Sequence, residues 1–389
     1  MRRILSVLVV CGAATACRAA DEAEALARQV AGVAERGQGQ EAAVRAAAAL
    51  SASGPDALLP ILKAMNDCNP LARNWLRGAF EAIASRAIET PGQFPADALR
   101  AFFDDRANEP RARRLAFEWL AKSDAEAAAR IIARSLDDPS SEMRRDAVVV
   151  QMQTAAELLE QGDRDAARTA YLAALEGAGD EDQVQELAKV LKDLGHEVNF
   201  VQHAGFLMQW TLLGPFDNKN QGGFDVPYPP EQEVALDKEY SYEHDGQSGK
   251  TRWMPYTSTK SDGLFDIAGL VAPYKGAIMY ATTTFESEAT RDVEFRLATP
   301  NAWKLWLNGE LLFAREEYHR GMFFDQYQVR GRLKPGENRL LLKVCQNEQE
   351  DAWAQDWSFQ FRVCDLTGRA IPPAPRRTAA AESEASTNP

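Results

Sequence analysis

The chain has 389 residues, 45% of them apolar, and a net charge of −13 with a pI near 5.0. That length exceeds a comfortable single core, so two domains are expected. The acidity excludes a nucleic-acid backbone as partner, because binding phosphates needs a surplus of Lys and Arg; its role is solubility.

Residues 1–20 read as a processing signal. Arg2-Arg3 precede an apolar run from Ile4 to about Ala14, followed by Ala14-Thr15-Ala16 and Cys17. Positive charge, a short apolar stretch and an A-x-A site are the marks of a secretory signal peptide. The run falls short of the roughly 20 apolar residues that span a bilayer. Cys17 after Ala-Thr-Ala also resembles a bacterial lipobox, in which the Cys becomes the lipidated first residue, although Ala14 stands where Leu is usual. The chain is thus expected to be exported, to the periplasm, cell envelope or exterior. Any membrane contact is expected only through acyl chains on Cys17.

Of five cysteines, Cys11 leaves with the leader and Cys17 is either cut off or lipidated. Cys68, Cys345 and Cys364 remain. A hairpin centred near residue 351 would set Cys345 opposite about Ser358 and not Cys364. Export permits a Cys345–Cys364 bridge, but buried free thiols are the expected state.

From 21 to 196 the pattern is helix after helix, Ala-rich, with apolar residues at three- and four-residue spacing. Trp75, Leu76, Ala79, Phe80 and Ile83 form one stripe. Leu115, Trp119 and Leu120 begin another, and Ala128, Ile131, Ile132 and Leu136 a third. Prolines punctuate paired segments: Pro55 and Pro60 open one, Asn69-Pro70 its partner, Pro95 the next and Glu109-Pro110 its partner. The run from Asp137 to Ala147 resembles the inter-helix turn and second-helix start of a HEAT repeat. Ala156, Leu159, Gly162, Ala166-Ala167, Tyr171 and Ala174-Leu175 resemble a tetratricopeptide hairpin whose second helix follows Asp180 and stops at Gly195. Such units imply an α-solenoid with a partner-binding face for a protein.

Composition changes near His196. Between 200 and 371 aromatic and β-branched residues take over, and six of the eight tryptophans lie there. Strand-like runs are Met208–Phe216, Ala277–Phe285, Val293–Ala298, Leu305–Leu307, Leu311–Phe313, Leu340–Cys345 and Trp357–Val363, separated by turns, as in an antiparallel β-sandwich. Asn308-Gly309 tolerates the two positive φ angles of a type I′ hairpin turn. Lys334-Pro335-Gly336-Glu337-Asn338 suits a type II turn. Trp306 alternates with Lys304 and Asn308, opposite Trp303, Leu305 and Leu307, and either face is open to be the core. Residues 372–389 lack the apolar content to fold and are expected to be a disordered tail.

The stretch Trp303–Val344 resembles the galactose-binding-like jelly-roll domain of β-galactosidase- and β-glucuronidase-type glycosidases. The resemblance covers about 165 residues and is closest in their last third. It implies a carbohydrate-binding module and no catalytic residue, since those enzymes hold their acid and nucleophile in a separate barrel. Glu316-Glu317, or Asp351 with Asp356, are therefore expected to be solvated loop charges.

Motifs for chemistry are absent: no G-x-S-x-G, H-E-x-x-H, C-x-x-C or P-loop string occurs. The four histidines, His196, His203, His244 and His319, have no zinc-ligand spacing. Asp217-Asn218-Lys219-Asn220-Gln221-Gly222 departs from an EF-hand at several positions. A structural calcium at Asp217 or Asn218 stands beside the plainer reading of an Asx turn. No cofactor is expected. The best site candidate is the loop Arg315, Glu316, Glu317, Tyr318, His319, Arg320. Sugars take an aromatic face plus planar polar groups, which Tyr318, His319, Arg320 and Arg315 supply. Trp253 and Trp353, in apparently polar loops, add a stacking platform; rim or core packing is the competing reading of these aromatics. The expectation is an exported, non-enzymatic binding protein that recognises glycan. Its alternatives are a protein–protein adaptor working through the helical region and a glycan-active hydrolase.

Overall fold

The computed structural model describes residues 19–374. The expected leader with Cys17, and the tail from 375 on, lie outside the described residues. Two compact units divide between Asp180 and Glu181.

The first unit is helical throughout: α1 (19–31), then α2 (Gln40–Ser51), α3 (Leu58–Ala64), α4 (Pro70–Glu89), α5 (Ala96–Asp104), α6 (Pro110–Ser123), α7 (Ala125–Ile132), α8 (Ser141–Glu160) and α9 (Arg164–Gly177). The starts follow from local chemistry. Asn69 accepts the Ala72 N–H at 2.9 Å, and Glu109 accepts that of Ala112 at 2.8 Å. In both helices the next residue is a proline, whose missing N–H would have no partner in a first turn. Ser140 and Asp163 cap α8 and α9 in the same way. The stripes face inward: Leu76, Phe80 and Ile83 join Leu115, Trp119, Leu120, Ile131 and Ile132 in one core.

Successive turns of this unit are fastened to one another. Asn66 donates to Asn108 at 3.0 Å and accepts the Glu109 N–H at 2.9 Å. Arg106 pairs with Asp137 at 3.1 Å, and Arg145 with Asp180 at 2.8 Å. The strongest tie is buried: Arg113 makes a two-pronged pair with Asp138, both contacts 2.8 Å, and its Nε donates to the Phe103 carbonyl at 2.8 Å. Asp138 Oδ1 also accepts the Ser140 N–H at 2.8 Å, so the turn before α8 is fixed from two sides.

The second unit opens with α10 (Glu181–Asp193) and α11 (Phe200–Ala204) and then turns to strand. Its strands are β1 (Gln209–Asp217), β2 (Glu239–His244), β3 (Gln247–Arg252), β4 (Met254–Thr257), β5 (Phe265–Asp266), β6 (Ala277–Ser287), β7 (Arg291–Ala298), β8 (Ala302–Leu307), β9 (Glu310–Arg315), β10 (Tyr327–Leu333), β11 (Gly336–Gln346) and β12 (Ser358–Cys364), with short helices α12 (Pro229–Gln232) and α13 (Ile267–Leu270). One sheet runs β4-β1-β6-β11-β8-β9 and a second β10-β7-β12-β5, while β2 and β3 form a hairpin. Every pairing is antiparallel. The two larger sheets share a core in which Trp210, Met279, Phe285, Trp303, Leu305 and Leu342 meet Phe295, Leu297, Phe359 and Phe361.

The turn chemistry is as the sequence reads. Asn308 and Gly309 take φ of 53° and 89° between β8 and β9, as a type I′ turn requires. Gly336 has φ 83°, and the buried Asn338 side chain bonds the Lys334 N–H and carbonyl across that turn.

Two expectations are corrected. β11 and β12 do not form a hairpin: Cys345 pairs with Ile278 and Ala302, and Ser358 with Asp266 in the other sheet. The segment around 351 carries the chain between sheets, and Cys345 and Cys364 are both buried free thiols. Nor does β8 have one core face. All six of its residues are buried, because the segment bearing Phe224, β2 and Trp253 covers the outer face of the six-stranded sheet. There Phe216, Ile278, Tyr280, Trp306 and Leu341 form a second cluster with Phe224, Tyr240 and Trp253. Lys304 enters this layer by pairing with Asp225 at 3.0 Å. Lys343, fully buried, donates to the carbonyls of Phe224 and Val226 and to Glu231 at 2.7–2.9 Å.

Candidate functional site

One end of the six-stranded sheet gathers the candidate residues. Asp217 pairs with Ala277, which pairs with Gln346; Cys345 lies beside Ala302, and Trp303 beside Arg315. The loops after β1, β9 and β11 therefore emerge side by side, and the turns entering β6 and β8 end there too.

Buried amides tie those loops together. The fully buried Asn218 donates to the Tyr318 hydroxyl at 3.1 Å and the Gln346 carbonyl at 3.0 Å, and accepts from the Gly223 N–H at 3.2 Å. Gln346 donates to the carbonyls of Ala354 and Asp356, both at 3.2 Å. Asn301 donates to Gln346 Oε1 at 3.3 Å and the Asp356 carbonyl at 3.1 Å. Lys275 adds a bond to the Ala354 carbonyl at 2.8 Å, and burial lowers its pKa below the usual lysine value. Buried polar groups matched in this way hold one geometry.

The site residues sit on this frame. His319 Nε2 is 2.7 Å from Asn347 Oδ1, and the His319 ring meets the Trp353 ring edge-on at 5.1 Å. Trp353 is 62% exposed, so a ring face is open to a ligand. Tyr318 is half-buried against the outer-face cluster, and burial raises its phenol well above the ordinary value. Arg315 and Arg320 both bond Glu317, at 2.6 and 3.2 Å, and those bonds lower the Glu317 carboxyl, the one from Arg315 most. Further along, Asp325 takes guanidinium bonds from Arg296 and Arg362. Asn220, Gln221, His319 and Asp325 hold φ between 53° and 61°, a region that costs non-glycine residues about 1–3 kcal/mol and concentrates at functional sites.

Trp253 does not belong to the platform. It is 7% exposed and packs with Tyr240 in the outer-face cluster, because the covering segment needs a large apolar anchor there. Asn218, one of the two calcium candidates, has its amide engaged with Tyr318, Gln346 and Gly223, and the Asn220 N–H that an Asx turn would use goes to Glu348 instead. Among the described residues no three His, Cys, Asp or Glu lie close enough to hold a metal. The sequence reading missed Asn301, Gln346 and Asn347. Their signal was slight: amides set just outside long apolar strands.

Chemically, the site offers a ring face, planar amide and guanidinium groups, and carboxylates held by Arg or facing solvent. His319 contacts the Asn347 amide and the Trp353 indole, and its ring lies 6.4 Å from that of Tyr318.

No family model matches the chain, and no curated protein matches it. Several solved structures show slight likeness, two of which serve as examples. A β-glucosidase from Kluyveromyces marxianus in complex with glucose is 14% identical over 47% of this chain and 21% of its own, with TM-score 0.25. The GH31 α-xylosidase from Xanthomonas citri is 14% identical over 41% and 18%, with TM-score 0.20. The chain thus spans about a fifth of the length of either. Likeness this slight does not assign fold or chemistry.

Proposed function

We propose that this is an exported, non-enzymatic binding protein whose sheet unit is a jelly-roll module recognising carbohydrate, carried on a helical-repeat scaffold. The observation that supports it is the exposed Trp353 ring braced by His319 at the sheet end. Around it a buried amide frame holds planar polar groups at fixed places. A sugar would lay its C–H face on Trp353 and direct hydroxyls to Arg320, Arg315 and neighbouring amides. Export, and lipidation at Cys17, rest on the leader sequence. The test is a glycan array with the full chain beside W353A. Reproducible binding that W353A abolishes supports the reading, and binding that W353A leaves intact removes Trp353 from it. A blank array with folded protein turns the function to the helical unit.

That second reading has its own support. Fastened turns such as Arg113–Asp138 and Arg145–Asp180 suit a solenoid, and solenoids present extended faces to protein partners. A pull-down in which removal of residues 21–180 leaves the recovered partners unchanged would count against it.

A further inference from the structure

A cleft of about 540 Å³ opens in the second unit, lined by two segments, residues 197–201 and 258–261, and by Met208. Its volume lies within the range of small-molecule sites, about 300–1,000 Å³. It shares no lining residue with the Trp353 platform.

Both segments are built. Asn199 caps α11 by accepting the Gln202 N–H at 3.0 Å. Phe200 packs against Phe206 and Phe324 with ring centroids 5.8 and 6.0 Å away. In the other segment the Ser258 N–H donates to the Met208 carbonyl at 2.9 Å and its hydroxyl to the Leu264 carbonyl at 2.5 Å. The Lys260 N–H in turn donates to Ser258 Oγ at 3.3 Å.

Two opposite charges line this space beside Val198, Phe200, Val201 and Met208. Glu197 belongs to one lining segment and Lys260 to the other, and among the described residues neither side chain has an ion-pair or hydrogen-bond partner. Isolated surface charges are ordinary, but here each has no local counter-ion while Phe200 and Met208 lie in the same lining. The ligand that satisfies all three features carries an ammonium at one end, a carboxylate at the other and aliphatic groups between. We infer that the cleft binds a short peptide with free termini: its ammonium on Glu197, its carboxylate on Lys260 and its side chains on Phe200 and Met208.

The experiment is calorimetric titration of the full chain with Ala-Leu-Ala and with its N-acetylated and C-amidated forms. The free peptide should bind, and each cap should weaken it by about tenfold or more, since each removes one charge-assisted contact. E197Q should bind free and acetylated peptide alike, and K260M free and amidated peptide alike. Both replaced side chains are exposed, so melting temperatures should match the parent. No saturable binding of the free peptide, or capped peptides that bind as tightly, would overturn the assignment. Glycan binding through Trp353 should be unaffected by either variant, so failure here is distinct from failure there.

Discussion

His319 Nε2 lies 2.7 Å from the side-chain oxygen of Asn347. That oxygen can only accept, so the ring carries its proton on Nε2 in this contact. The bond joins the loop after β9 to the one after β11, and the same ring leans edge-on against Trp353. Position of the exposed indole is thus coupled to an amide buried beneath it.

Replacing Asn347 by Ala should release His319 and remove the two bonds that the Asn347 side chain makes to Gln349, at a stability cost of about 2–3 kcal/mol, at about 1 kcal/mol for each such bond. It should also shift the emission assigned to Trp353 by subtracting the spectrum of a W353F background. An unchanged difference spectrum would show that the two loops are not coupled through this bond.

Two tryptophans that look equally polar in sequence context should behave oppositely. W253A opens a hole in the outer-face cluster and should cost about 3–5 kcal/mol. W353A, at a site 62% exposed, should stay within about 0.5 kcal/mol. Urea unfolding followed by far-ultraviolet dichroism separates them; similar costs would contradict the burial described above.

Those two tryptophans look alike in sequence because both stand among polar neighbours, and only the fold, which lays the segment of Trp253 over the sheet, buries one of them. The two faces of β8, bearing Trp303 and Trp306, are ambiguous on other grounds. Alternation tells apart two faces only when one of them meets water, and β8 meets water on neither. Helix starts such as Asn69-Pro70 and the Asn308-Gly309 turn were legible because each depends on backbone chemistry within a few residues. The strands β2, β3, β4 and β10 were not legible, since their exposed patterns carry little apolar signal. The amide frame of Asn218, Asn301, Gln346 and Asn347 was invisible for another reason. Its members are separated by up to 129 residues and only the fold brings them together.

In the helical unit, two adjacent aspartates offer a controlled comparison. D138N leaves the buried Arg113 guanidinium without its counter-charge and should cost about 3–5 kcal/mol. D137N weakens the half-exposed pair with Arg106, worth about 0–1 kcal/mol. Equal effects on the loss of helical signal in urea would refute the importance of the two-pronged pair.

Alkaline pH should destabilise the sheet unit. Burial raises the thiols of Cys345 to about 12 and Cys364 to about 11, and the Tyr228 phenol to about 12, from ordinary values of 9.0 and 10.0. Over that interval the folded chain keeps protons that the unfolded chain has released. The stability these groups contribute is therefore whole below about pH 9 and lost as pH rises through 9 to 12. Burial lowers Lys343 and Lys275, which act in the opposite sense, but two lysines stand against these three groups and the phenols of Tyr280, Tyr318 and Tyr327, which burial also raises. Urea midpoints should fall between about pH 8 and about pH 10.5, and less steeply in C345A. A flat or rising profile would refute this balance.

The segment from 218 to 257 has the look of an oversized surface connection, the kind usually trimmed to obtain a minimal fragment. It is instead a lid soldered to the sheet by an ammonium. Excising it would leave Lys343 stranded among Tyr280, Trp306 and Leu341 with no carbonyl or carboxylate to receive its protons. The remaining two sheets would then present a sticky apolar wall to solvent, and a shortened construction would precipitate where the full-length chain stays dissolved.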